Sequence, residues 1–256
     1  MEGSCEIYAV QRLIQRYDYD GAVEILDLLN WQDTGIYRLI LSCQRSLNFN
    51  FAAAKKLTDR VSDNDFQSCD GLIRFRDELP LLMEGKPYEI FNELTDNIII
   101  QLEREAYTDF IGRIFQVREL LFKYAVIQFK LRQEFTLRSN IYQKKTFEHR
   151  FKLRHGLMNG MKEILRNGGG KWQKIVNVLS GKQMSELMDI RHKTIVAHGI
   201  ETVTYQDISR VYESPEHVLQ DLYQVFAWLN IPIREHKYRK LNEELVAKVL
   251  GMAEDR

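Results

Sequence analysis

Two residue types suited to phosphate and proton chemistry stand seven positions apart, Arg191 and His198, in residues 184–199, MSELMDIRHKTIVAHG. The spacing predicts one helix, starting near Ser185 and ended by Gly199 at a left-handed C-terminal position. At about 100° per residue the two side chains lie within roughly 20° of each other on one face. Met184, Leu187, Met188 and Ile195 share that face, while Asp189, Lys193 and Val196 point away. An arginine and a histidine therefore sit on the stripe that should be packed. A guanidinium there is costly unless it has a partner or lines a cavity or interface. Histidine titrates near neutrality and can move protons, and arginine offers phosphate a permanent bidentate charge. A histidine at a helix C-terminus is favoured in its protonated form, which suits an acid or electrostatic role better than a base. The plainer alternative is a histidine that caps the last carbonyls and an arginine whose head snorkels past the stripe.

No other catalytic set is present in the sequence. There is no His-Glu-x-x-His, Gly-x-Ser-x-Gly, Cys-x-x-Cys or acidic calcium loop. Cys5, Cys43 and Cys69 are odd in number and widely spaced, which favours a reducing cytoplasm over a disulfide framework or a metal knuckle. Residues 166–171, RNGGGK, lack the Lys-Ser/Thr ending and the preceding strand of a phosphate loop, so they read as a helix stop and loop. His149, His155 and His236 are isolated and read as surface residues. No cofactor and no metal site is expected.

The net charge of zero conceals an asymmetry. Residues 123–198 carry about 16 basic and 5 acidic side chains, roughly +11, against about 13 basic and 21 acidic in 1–122. A basic segment on an otherwise acidic chain points to an anionic ligand, with nucleic acid first. Pairing of these charges with the acidic part of the same chain is the competing explanation. No run of about 18 apolar residues occurs, so no membrane span or membrane partner is expected. The start, MEGSCEIYAV, lacks the features of a secretory signal.

The elements that must hold these residues are helical, and few prolines interrupt them. Apolar spacing predicts helices over 6–16, from Asp18 or Asp20 to 29, from a Thr34 cap onward, and over 49–60. Further helices are expected over 66–79, ending at Pro80, over 87–105, and over 108–131, the last apolar nearly all round and hence central. Residues 148–165 and 172–179 read as helical. Residues 200–211 read as a loop or short hairpin, followed by helices over 215–229 and 238–252. The fold class expected is all-α, with a domain boundary near residues 106–107.

The stretch Arg191-His192-Lys193-Thr194-Ile195-Val196-Ala197-His198 resembles the Arg-x(four to six)-His signature of the HEPN superfamily of helical ribonucleases. In that family a polar residue commonly follows the arginine, and His192 fits. The hairpins YDYDGAVEILDLL and RLILSCQRSLNFNFAAAKKL, followed by long helices and a late Arg-x(six)-His, are similar to the CRISPR-associated Csm-type HEPN ribonucleases of type III systems. The resemblance implies a six-helix, repeat-like domain over 1–106 and a HEPN helical bundle over 107–256. It further implies a homodimer that faces two motifs across one groove, and metal-independent cleavage of single-stranded RNA in antiviral defence. In that scheme Arg191 binds phosphate, and His198 transfers protons or positions water and phosphate. His192 is a supporting polar group, and Lys193 is a weaker RNA contact. Nothing here reads as the α/β CARF domain of those proteins. Cyclic oligoadenylate activation is implied only through a CARF domain not present in this chain, which is then a truncated form, a fragment or a relative regulated differently. Two other classes stand beside this reading. One is a toxin-like or non-catalytic HEPN module that binds RNA or nucleotide, and the other is a helical scaffold protein.

Overall fold

The computed structural model describes residues 2–194 and 199–254, and these fold as an all-α protein. The first six helices are α1 (Glu2–Gln15), α2 (Tyr19–Leu28), α3 (Gly35–Leu47), α4 (Phe51–Thr58), α5 (Asp63–Phe66) and α6 (Asp70–Glu84). Then come α7 (Pro87–Glu103), α8 (Tyr107–Leu131), a 3-10 turn at Asn140–Tyr142, α9 (Lys144–Arg150) and α10 (Leu157–Arg166). The chain continues through α11 (Gly170–Leu179), α12 (Lys182–His192), α13 (Tyr205–Tyr212), α14 (Pro215–Trp228) and α15 (Lys237–Glu254). A single bridge between Thr194 and Glu201 is the one extended pairing among the described residues. No described helix is long and apolar enough to cross a membrane.

The tight links between helices share one physical device. Tyr17, Asn30, Phe49, Glu105 and Asn230 all adopt left-handed backbone, with φ between 55° and 58°. In each case the next amide reaches five residues back, as in Asp18 N–H to the Leu13 carbonyl (2.9 Å) and Trp31 N–H to the Leu26 carbonyl (3.0 Å). This Schellman closure satisfies carbonyls that the helix end would otherwise leave open. Side-chain caps then start the next helix: Asp18 accepts from Gly21 N–H (3.1 Å) and Thr34 from Tyr37 N–H (3.2 Å).

Two compact units result, one of Met1–Glu84 with Arg234–Arg256 and one of Gly85–Ile233. They are bounded differently from the expected 1–106 and 107–256, because α15 belongs with α1–α6 and α7 with α8. The first unit buries Val10, Ile14, Leu26, Leu39, Phe75 and Leu79 with Tyr238, Leu241 and Leu245 of α15. Polar anchors fix α15 there. The Tyr19 hydroxyl donates to Asn242 Oδ1 (2.6 Å), and Asn242 Nδ2 donates to the Ile14 carbonyl (2.6 Å). The Glu244 carboxylate accepts the Gly71 and Leu72 amides at 2.8 Å each, capping the first turn of α6. A Cβ at Gly71 would come within 2.9 Å of that carboxylate. Glu78 gathers Arg74 (2.9 Å), Lys237 (3.3 Å) and Arg234.

Three sequence expectations are corrected in these elements. Helix α6 runs through Pro80 to Glu84 rather than ending before it. Pro80 is exposed, so the carbonyl it leaves unbonded faces water while Leu79 and Leu82 keep the helix packed. The single helix expected over 148–165 is two, α9 and α10, separated by left-handed Lys152, His155 and Gly156. Residues 205–212 form α13 rather than a loop or hairpin. A reciprocal capping box starts it, in which Thr204 Oγ1 accepts from Asp207 N–H (3.3 Å) and Asp207 accepts from Thr204 N–H (3.0 Å).

The second unit is built round α8, where Phe110, Ile111, Ile114, Val117, Leu121, Phe122 and residues 124–127 are all buried. Helices α7, α10, α11 and α12 pack against it. Phe91 of α7 sets its edge to Tyr124 (5.4 Å) and lies beside Phe226 of α14 (5.6 Å).

Two outcomes test the anchoring of α15. Glu244→Ala should cost about 1–2 kcal/mol in urea unfolding at pH 7, since a carboxylate cap on two amides is lost; an unchanged midpoint would refute the capping role. For Glu78, burial raises the carboxyl pKa, but Lys237 and Arg234 lower it more, and the folded value ends below the ordinary 4.5. Its contribution is therefore complete above about pH 4.5 and lost as pH falls through the lower folded value. Glu78→Gln should flatten the acid side of the stability curve, and an equally steep loss in parent and variant would contradict this.

Candidate functional site

Helix α12 exists because Met184, Leu187 and Met188 recur at helical spacing and bury against the unit core, while Glu186 and Asp189 stay exposed. Arg191 continues the buried stripe, as the spacing predicts, and is half-buried. Its guanidinium carbon lies 3.8 Å from the ring centroid of Phe115 on α8. That is a stacked cation–π arrangement, worth about 0.5–2 kcal/mol as water is excluded. Burial lowers the guanidinium pKa, and the charge of Glu119, one turn beyond Phe115, opposes that shift. Glu119 also pairs with Lys123 at 2.7 Å. The arginine's place on an apolar face thus has an explanation within its own unit.

The rest of the motif departs from the expected single helix. Helix α12 ends at His192, with Lys193 as its cap, and does not run on to Gly199. Thr194 is the cause: its hydroxyl donates to the Arg191 carbonyl at 2.7 Å and its amide bonds the same oxygen at 3.0 Å. This three-residue return, followed by the β-branched Ile195 and Val196, competes with continued α-helix. Gly199 N–H then donates to the Thr194 carbonyl (3.0 Å) and Glu201 N–H to the Lys193 carbonyl (3.1 Å). Gly199 is needed for close approach rather than as a helix stop, since a Cβ there would collide with the Lys193 carbonyl oxygen. Residues 195–198, His198 among them, lie outside the described residues. His192 and Lys193 are exposed at the end of α12, beside Arg191 in sequence.

Reasoning from sequence alone missed Phe115 and Glu119 as members of this site. Their spacing of four on a helix, beneath a packed arginine, was the available signal. A second buried arginine, Arg118, is structural. Its Nε donates to the Leu179 carbonyl at 2.5 Å, closing the end of α11. Burial lowers its pKa, and the charge of Glu119 opposes that shift. Of the isolated histidines, His149 and His155 are exposed as expected. His236 is instead half-buried, with its ring 5.7 Å from that of Tyr17 and its Nε2 3.3 Å from the Tyr17 hydroxyl. Among the described residues no three His, Cys, Asp or Glu side chains cluster closely enough to hold a metal ion.

What the arrangement supplies chemically is an oriented cation. The Phe115 ring seats the guanidinium, and a guanidinium carries the planar fork of N–H donors that suits a phosphate. No protein-family model matches the chain, and the search of curated proteins found no match.

The stacking can be measured directly. A double-mutant cycle between Phe115→Leu and Arg191→Met should give a coupling energy of about 1 kcal/mol in unfolding free energy. A coupling indistinguishable from zero would show that Arg191 is merely adjacent to the ring.

Proposed function

We propose that this chain acts on single-stranded RNA as a metal-independent endoribonuclease, with Arg191 holding the scissile phosphate and His198 moving a proton. The observation that carries the reading is the seating of Arg191 over the Phe115 ring, which holds a permanent cation within the strongly basic stretch 123–198. In the reaction a ribose 2′-oxygen attacks the adjacent phosphorus and loses its proton. The P–O5′ bond breaks, and the leaving 5′-oxygen takes up a proton, leaving a 2′,3′-cyclic phosphate. Negative charge on the phosphoryl oxygens grows along this path, so a fixed guanidinium stabilises the transition state more than the ground state. Histidine suits the proton transfers because it titrates near neutrality. His192 and Lys193 would meet flanking phosphates. A homodimer that pairs two motifs, and a role in type III CRISPR defence, belong to this proposal through the resemblance to HEPN ribonucleases.

A second reading is RNA binding without turnover. The end of α12 at His192 favours it, because Arg191 stands in the last turn of that helix and the helix expected to continue to Gly199 stops there.

The deciding experiment is cleavage of a fluorescent single-stranded RNA in excess EDTA by the parent, Arg191→Ala and His198→Ala. The nuclease reading expects EDTA-resistant cleavage with a 2′,3′-cyclic phosphate end, reduced about 100-fold or more in each variant. RNA binding by all three without cleavage would favour the binding module. Equal cleavage by all three would dismiss Arg191 and His198 as the site.

A further inference from the structure

The far end of α8 carries a second concentration of chemistry that the Arg191 site does not use. Phe129 and Trp172 stack there with centroids 5.3 Å apart at 52°. Gly168 lies against both rings: a Cβ would meet Trp172 Cδ1 at 2.8 Å and Phe129 Cε2 at 2.9 Å. The glycine therefore lets the aromatic pair seat closely on the 166–171 loop. Lys171 places its ammonium 4.6 Å from the Trp172 ring, and Lys130 lies 5.2 Å from that of Phe129.

Trp172 lines one cleft, and Lys130, whose ammonium lies over the Phe129 ring, lines a second. One, of about 390 Å³, is lined by Trp172, Arg132, Lys171, Gln128, Gln133 and Asn230, with Glu134 at its edge. The other, of about 200 Å³, is lined by Lys130, Lys152, Arg154, Phe151 and Asn167, with Glu163. Lys130, Arg132, Lys152, Arg154 and Lys171 are all exposed. Glu134, the acidic group of the larger cleft, is engaged as acceptor of the Tyr124 hydroxyl at 2.7 Å. Lys171 gives one of its protons to the Trp228 carbonyl (3.0 Å) and keeps the others for a ligand.

We infer that these two clefts, together with the Phe129–Trp172 pair, form a binding surface for single-stranded RNA, distinct from the Arg191 site. Cations that track a backbone, an indole on which a base can stack, and amides able to reach base edges together match how proteins hold single strands. A surface for acidic peptide would need the cations but not the stacked rings and amides. Phe115 and Phe129 are fourteen residues apart on one helix, about 21 Å along its axis, so the surface would hold RNA away from the reacting phosphate. The choice of RNA rests on the proposed function, while the surface itself stands on the geometry of α8, α10 and α11.

The test uses the full chain, a labelled uridine 20-mer in EDTA, and fluorescence anisotropy over a series of salt concentrations. The quadruple variant Arg132→Ala/Lys152→Ala/Arg154→Ala/Lys171→Ala alters only exposed side chains, and its thermal unfolding is compared with the parent's. It should bind at least about ten-fold more weakly at low salt, with the slope of log affinity against log salt shallower by about 3. RNA should also quench tryptophan fluorescence in the parent and not in Trp172→Phe. Unchanged affinity and slope in the quadruple variant would overturn the surface, as would no binding by the parent. Equal displacement by polyglutamate, without tryptophan quenching, would overturn it in favour of a general polyanion face. Arg191→Ala separates the two sites: it removes a single phosphate contact, so its salt slope should become shallower by at most about 0.7, against about 3 in the quadruple variant. Loss of binding in the quadruple variant with no cleavage by the parent would retain the surface and remove the nuclease.

Discussion

The second unit depends on one constraint, the dryness of α8. Residues 121–127 of this 25-residue helix are buried on every side, and a polar group in its buried stretches must find its partner inside the protein. Arg118 meets this by binding the Leu179 carbonyl, Lys123 by pairing with Glu119, and Tyr124 by donating to Glu134. The Arg118 and Tyr124 bonds also tie down neighbouring segments, the end of α11 and the stretch that follows α8. The helix thereby presents different chemistry at two places fourteen residues apart, Phe115 beneath Arg191 and the Phe129–Trp172 pair among cations.

The same constraint accounts for the arginine that looks misplaced in sequence. On α12 the stripe of Met184, Leu187 and Met188 leads a charged side chain into a region made for apolar ones. Phe115 offers the guanidinium a polarisable face, and Glu119 offers an opposite charge. The cost of partial burial is offset without a second chain. Arg191 therefore has a stabilising role and an orienting one, and a nuclease reading draws on the second.

In the first unit the helical hairpins are closed by a helix from the other end of the chain. Asn242, Glu244 and Lys237 of α15 satisfy a carbonyl near the end of α1, the first turn of α6 and the buried Glu78. These are directional bonds on top of apolar burial, so they specify which helix fills the slot as well as that it is filled. Glycine at position 71 is part of that fit, because only its missing Cβ leaves room for the Glu244 carboxylate.

Periodicity alone determined the all-α class, the central burial of residues 108–131, the buried stripe through Arg191, and caps such as Asp18 and Thr34. Those features depend on residues within a few turns of each other. Other features were not legible there, because each depends on a partner far along the chain or on a backbone state that residue type does not announce. Tyr17, Phe49 and Glu105 close helices in the left-handed region that glycine usually marks; the expected ends near 16 and 105 fall beside them, but residue type did not announce the closing geometry. Pro80 read as a stop, yet the packing of its neighbours carries α6 past it. Gly199 read as a helix end, whereas the helix stops at His192 because the Thr194 side chain takes the Arg191 carbonyl. The sequence by itself thus determined most of the helical segments, though not α13, the break between α9 and α10 or the run of α6 past Pro80. Only the tertiary structure decided that α15 joins the first unit, that Phe115 carries Arg191, and that Trp172 meets Phe129, since these rest on contacts between residues 43 to more than 200 positions apart.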